Sequence, residues 1–181
     1  MADVSVRPAT PADAPAVARV QASVWSRLYV GLLPPEELAS LDSPTSVQTW
    51  RAAVTSPPSP KHRVLVALDG SEVVGFSVLA PASDPDLVPG LDAEIQVLCV
   101  APDRTGAGHG SRLVNASADV VRDDGFDHLH VWLTGREDEL RAFLEKAGWV
   151  DDGARRSLDL RGDGDVLVDQ VRMRARVRDD G

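Results

Sequence analysis

One cysteine, Cys99, is all that the 181 residues contain, so no disulfide can close within the chain and no zinc site can be built on thiolates. Basic residues are also short. Against 28 Asp and Glu stand 19 Lys and Arg, leaving a net charge of −9. A surface of that sign repels phosphate backbones, which excludes general nucleic-acid binding as a function class. No apolar run approaches the ~18 residues that a membrane span needs, so no membrane partner is expected. The opening residues Met1-Ala2-Asp3-Val4 have neither the basic nor the apolar region of a secretory leader. The four histidines, His62, His109, His128 and His130, fit no H-E-x-x-H pattern, and no metal is expected. These absences read as a cytoplasmic protein. The length suits one domain with its own core.

What is present is a regular alternation of element signals. Val4-Ser5-Val6-Arg7 alternates like a strand, and Thr10, Pro11 and Asp13 form a helix start ahead of Ala14, Val17, Val20, Val24 and Trp25 at helical spacing. Further helix is expected from Glu36 to Leu41 and from Thr45 to Val54. The prolines of 55–60 demand a loop. Two strands follow, over 63–68 and 72–79, joined at Asp69-Gly70. After the Asp/Pro-rich loop from Pro81 to Asp92 come a strand over 93–100, a helix over 108–121, a strand over 126–133 and a helix over 138–146. Ser157 to Leu160 and Val166 to Val177 read as a closing hairpin, and 179–181 as a frayed tail. The order describes a mixed α/β sheet with helices on its faces. Residues 1–178 form the domain.

The most informative stretch joins the strand at Leu98-Cys99-Val100 to the helix at Gly110 through Ala101-Pro102-Asp103-Arg104-Thr105-Gly106-Ala107-Gly108-His109. Alternating glycines let backbone N–H groups converge, and the free N–H groups of a helix's first turn add the positive end of its dipole. Together they make a cradle for pyrophosphate. A P-loop would end in Gly-Lys-Ser/Thr, whereas here Gly110-Ser111-Arg112 has no lysine. A Rossmann loop needs G-x-G-x-x-G, and Gly106-Ala107-Gly108-His109-Gly110 places its last glycine one residue early.

The segment resembles motif A of the GNAT superfamily of acetyl-CoA-dependent N-acetyltransferases. In that family an apolar strand ends in Val-x-Pro, followed by Gln/Arg-x-x-Gly-x-Gly/Ala and a helix. Val100-Ala101-Pro102 and Thr105-Gly106-Ala107-Gly108-His109-Gly110 match it. Arg7-Pro8-Ala9-Thr10-Pro11-Ala12-Asp13 is similar to the family's first strand and helix start, and Val73-Val74-Gly75-Phe76 to its third strand. Leu140-Arg141-Ala142-Phe143-Leu144-Glu145-Lys146-Ala147-Gly148-Trp149 is similar, more loosely, to its Ala-x-x-Phe-Tyr-x-x-x-Gly-Phe helix. The resemblance implies a GNAT fold: a mixed, mostly antiparallel sheet of about seven strands flanked by about four helices.

The resemblance also implies roles. Acetyl-CoA would be the co-substrate, with Leu98, Cys99 and Val100 along its pantetheine arm and Val100 N–H aimed at the thioester oxygen. Arg104, Thr105, Gly106, Ala107, Gly108, His109, Gly110 and Ser111 would hold the pyrophosphate. Glu94 is the general-base candidate, because a carboxyl in an apolar strand binds its proton more tightly. Gln96 would orient a water beside it, and Trp25 and Tyr29 would line the acceptor pocket. The acceptor would be a small-molecule amine or a peptide N-terminus, steered by the acidic Asp84/Asp86/Asp92 loop. Homodimers are common in that family. His128 and His130, and Arg172, Arg174 and Arg176, read as solvated strand faces. Two departures stand out. Thr105 replaces the Gln or Arg that usually opens the loop, and Leu144 replaces the tyrosine that often protonates the CoA thiolate. The second departure leaves open a non-catalytic CoA-binding or regulatory module. Calorimetric titration with acetyl-CoA is expected to show binding, and Gly108→Glu to abolish it. No heat at millimolar ligand would overturn the resemblance's central implication.

Overall fold

Capping and turn chemistry decide where the elements begin. The computed structural model describes residues 4–178, so the expected tail at 179–181 and the first three residues lie outside the described residues. Strand β1 (Val4–Pro8) leads into a single 3₁₀ turn and helix α1 (Ala14–Leu28). Thr10 is the expected N-cap, and Asp13 closes a capping box with it. Arg7 grips the Asp13 carboxylate with bonds of 2.7 and 2.9 Å, and Thr10 N–H donates to it at 2.7 Å. These partners, led by Arg7, hold the Asp13 carboxyl down at about 2. Its contribution to stability is therefore complete above the ordinary carboxylate range and is lost as pH falls toward 2.

Helices α2 (Pro35–Ser40) and α3 (Pro44–Thr55) follow, then the hairpin β2 (Arg63–Asp69) and β3 (Glu72–Pro81), strand β4 (Asp92–Val100) and helix α4 (His109–Asp123). Strand β5 (His128–Thr134), helix α5 (Asp138–Lys146) and the hairpin β6 (Val150–Asp159) and β7 (Leu167–Arg176) complete the chain. The seven strands form one sheet in the order β1-β2-β3-β4-β5-β7-β6. Only β4 and β5 run parallel; the other neighbours are antiparallel. The architecture is the expected one, with five α-helices where about four were expected. Strand β6 begins at Val150 rather than Ser157 because Asp151-Asp152-Gly153, which looks like a turn, is a bulge inside the strand. The register against β7 shifts between Asp151 and Arg155, and Gly153 takes φ 89.

Two apolar layers sandwich the sheet. One face buries Leu79, Ile95, Leu113, Leu129, Leu133 and Leu144 beneath α4 and α5. The other buries Val17, Val20, Val66, Phe76 and Cys99 beneath α1. Gly75 on β3 sits where the two layers and the site meet. A Cβ there would lie 2.8 Å from the Cys99 carbonyl oxygen and 3.1 Å from Leu113 Cδ1. The carbonyl is backbone and cannot yield without parting β3 from β4. Gly75→Ala is expected to cost about 1–3 kcal/mol by overpacking. A lower urea midpoint at unchanged slope would show it, and an unchanged midpoint would refute it.

Candidate active site

The site begins with one extra residue. On β3, Leu79 faces Ile95 and Val78 faces Val97, so Gln96 has no partner and forms a β-bulge. The bulge reverses which side chains face which layer. Before it, Ala93 and Ile95 enter the α4-side core; after it, Leu98 and Val100 do, while Val97 and Cys99 turn under α1. It also bends β4 away from β5. Their pairing runs only from Asp92↔His128 to Ile95↔Val131, although β4 continues to Val100 and β5 to Thr134. The result is a V-shaped gap between two parallel strands.

The backbone inside that gap is available. Ala101 N–H donates to Val74 O at 2.8 Å. By the alternation of an antiparallel ladder, Cys99 also directs its backbone groups to β3, and Leu98 and Val100 direct theirs into the gap. Of the three residues expected along a pantetheine arm, two thus present free backbone edges. Cys99 does not: its thiol is 2% exposed and its pKa is driven up by burial, so it is a packing residue rather than a nucleophile.

The glycine loop lies at the open end of the gap. Gly106 and Gly108 take φ 78 and 82, values that L side chains rarely adopt. They turn the chain into α4, whose first turn carries no acidic residue. Leu98, Val100, the loop, the C-terminal half of α1 and the start of α5 enclose a cavity of about 760 Å³. Thr105, Gly106, Ala107 and Ser111 are exposed to solvent. His109 instead turns inward and is 2% exposed, so only its backbone belongs to the loop surface. Arg104 lines the cavity, but its guanidinium is already paired with Asp69 at 2.9 Å and Glu72 at 2.7 Å. Arg112, closer to the glycines, donates to Ala107 O at 3.3 Å.

On the α1 side of β4, before the bulge, lies Glu94, 8% exposed. Burial raises its affinity for a proton, and Asp84 adds to this, while Arg156 and Arg172 oppose it. Trp25 and Tyr29 meet edge to face at 5.6 Å. The Tyr29 phenol is pushed up to about 12, first by burial and then by Glu137 and Cys99. Gln96 is exposed on the bulge.

Around Glu94 the strand faces are not solvated. His130, Glu94's partner across the strands, is 1% exposed, and its Nε2 lies 2.8 Å from Asp92 Oδ1. Arg172 is 4% exposed. It donates to Asp152 at 2.7 Å, to Asp84 at 3.3 Å and to both oxygens of Asp86. Trp132 Nε1 donates to Asp84 at 2.9 Å, and the Arg156 guanidinium stacks 4.2 Å above the Trp132 ring. The reading of 130 and 172 as solvent-facing is therefore corrected, while His128 stays partly exposed. The β3–β4 loop folds back over β5 and β7 and roofs that face. For the same reason Asp84, Asp86 and Asp92 are neutralised locally and do not form a free acidic patch. Strict alternation of His128, His130 and Trp132 with Leu129, Val131 and Leu133 was the signal of a polar interior face. Glu137, next to Thr134-Gly135-Arg136, gave no motif signal, yet it lines the cavity.

Comparison with known proteins agrees with this geometry. Residues 25–149 match the Acetyltransferase (GNAT) family. The chain is 27% identical over 161 residues to a protein named as a probable N-acetyltransferase of Mycobacterium tuberculosis, covering 83% of this chain and 82% of that one. It is 32% identical over 109 residues to a mycothiol acetyltransferase of Nocardiopsis dassonvillei, covering 60% of this chain but only 30% of that protein's length. The crystal structure of the PaiA N-acetyltransferase from Thermoplasma acidophilum in complex with coenzyme A superposes with a TM-score of 0.72. The two are 16% identical, with 96% of this chain and 99% of that chain covered. The chain belongs to the GNAT acetyltransferase family, and it is an acyltransferase. Among the described residues no helix is long and apolar enough to cross a membrane.

Arg172 is the cation on which the roof depends. Arg172→Ala leaves the largely buried Asp152 side chain without its guanidinium partner, a loss of about 3–5 kcal/mol for a buried pair, and releases the loop carboxylate Asp86. The expected result is a lower melting temperature together with impaired acetyl transfer. Unchanged melting would refute the account.

Proposed function

We propose that this protein transfers an acetyl group from acetyl-CoA to a primary amine, a small molecule or a peptide N-terminus, by direct attack in a ternary complex. The observation that carries the reading is the arrangement along β4. A glycine cradle, an open backbone edge and a buried carboxyl follow one another on a single strand.

Each part has a physical task. Backbone N–H groups from Thr105 to Ser111, at the positive end of α4, suit a pyrophosphate without requiring a basic surface. The free edges of Leu98 and Val100 accept the pantetheine amides as an added strand. Val100 N–H is placed to polarise the thioester carbonyl. Glu94, with its raised proton affinity, takes the proton from the incoming ammonium, directly or through water held by Gln96. Trp25, half-buried, supplies aromatic surface near the end of α1, with the buried Tyr29 packed edge to face against it. Arg161, in the β6–β7 turn, reaches Glu37 of α2 at 3.3 Å and brings a second wall to this side. A free, buried Cys99 suits the reducing cytoplasm.

Thiol release from acetyl-CoA should be measured against polyamines, aminoglycosides, amino acids and peptide N-termini. At least one class is expected to give turnover. Glu94→Gln is expected to lower kcat by about 10²-fold or more and to remove the acid limb of its pH profile, since the base works only when deprotonated. Turnover by Glu94→Gln at the wild-type rate would remove Glu94 from the mechanism. Tight acetyl-CoA binding without turnover of any acceptor would favour a binding module.

A further inference from the structure

The departing CoA sulfur needs a proton, and the helix position that often supplies it in this family is Leu144, which is 0% exposed within the core. The side chain of that turn that reaches the cavity is Phe143, which carries no proton. The donor must come from elsewhere on the cavity wall. Thr105 and Ser111 stand at the loop end, and Arg104 and Arg136 are committed to partners, Arg104 to Asp69 and Glu72 and Arg136 to Leu28 O and Val30 O. Asp138 and Glu139 are exposed at the rim.

Glu137 differs from all of these. It lines the cavity from the turn after β5, at the widening end of the V. One carboxyl oxygen is fixed by Thr134 N–H at 2.6 Å. The turn itself is anchored across the gap, since Arg136 Nη1 donates to Leu28 O at 3.1 Å and Val30 O at 3.0 Å. Burial raises the affinity of the Glu137 carboxyl for a proton, against the opposing pull of its Thr134 hydrogen bonds. Its charge also raises the proton affinities of Tyr29 and Cys99, after the larger effect of their burial.

We propose that Glu137 is the general acid of this enzyme, donating a proton to the CoA sulfur as the carbon–sulfur bond breaks. The step balances without any further reactant. The bond's electron pair goes to sulfur, the carboxyl proton follows it, and the carboxylate left behind is reprotonated by the surplus proton of the acylated nitrogen or by solvent. Glu94 would act from β4 ahead of its open stretch, and Glu137 from the turn after β5. The assignment rests on the acetyl-transfer reading above.

The test is kcat against pH for wild type, Glu137→Gln, Glu137→Asp and Tyr29→Phe, with calorimetric acetyl-CoA affinity and a thermal melt for each. Glutamine keeps an oxygen for Thr134 N–H, so Glu137→Gln is expected to melt and to bind acetyl-CoA as wild type does. Its kcat is expected to fall by about 10²-fold or more, with loss of the alkaline limb, where a general acid becomes deprotonated. Glu137→Asp is expected to recover part of the rate and the limb. A kcat within threefold of wild type, a change confined to KM for acetyl-CoA, or loss of the alkaline limb in Tyr29→Phe instead would overturn the assignment. If wild type bound acetyl-CoA yet released no thiol with any acceptor, the acetyl-transfer reading would fall and this assignment with it. An active wild type matched by Glu137→Gln overturns the assignment alone.

Discussion

A single unpaired residue in β4 organises this molecule. With Gln96 bulged out, β4 cannot remain hydrogen-bonded to β5 beyond Ile95, and an otherwise continuous seven-stranded sheet opens in its middle. Unpaired backbone polar groups at such a depth are costly unless something satisfies them. The free edges at Leu98 and Val100 are therefore groups that the proposed extended, amide-bearing ligand would satisfy. The same bulge reverses side-chain parity. Glu94 thus faces the α1 side, and four residues later Leu98 faces the α4 side. One backbone irregularity sends residues four apart on the same strand to opposite faces of the sheet.

The second constraint is electrostatic. Five carboxyls, Asp84, Asp86, Asp92, Asp152 and Glu94, crowd one end of the sheet around Arg172, Arg156 and His130. Most are held by specific donors, which fixes the loop over 82–91 onto β5 and β7. Glu94 is the exception: no hydrogen bond or ion pair holds its carboxyl among the described residues. A carboxyl hemmed in by saturated neighbours is free to exchange its proton with a ligand, whereas a carboxyl already committed to Arg172 is not. The network supplies rigidity, and the uncommitted group supplies chemistry.

Much of this was legible in the residues. Thr10-Pro11-Ala12-Asp13 announced the start of α1, and Asp69-Gly70 the hairpin. Val100-Ala101-Pro102 with Gly106 and Gly108 announced the cradle, because glycine and proline act on backbone geometry locally. Glu94 stood out as a charge in an apolar strand. His130 and Arg172 were misjudged because their burial depends on a loop more than 40 residues away in sequence folding back over them, which no local pattern encodes. Asp151-Asp152-Gly153 was misjudged because a bulge and a turn use the same residues. Glu137 escaped notice because its importance lies in where β5 ends relative to β4, a matter of strand divergence rather than of motif.

The ion pairs of Arg104 bear on how the enzyme responds to its surroundings. That guanidinium belongs to Asp69 and Glu72, so under the proposed reading the loop would meet phosphate chiefly with backbone N–H groups and a helix dipole. Binding through lysines and arginines releases condensed counterions and weakens steeply as salt rises. A cradle of fixed neutral dipoles would release few, so cofactor capture through it would be buffered against changes in ionic strength. Its strongly acidic surface is then free to serve solubility without competing with its own ligand.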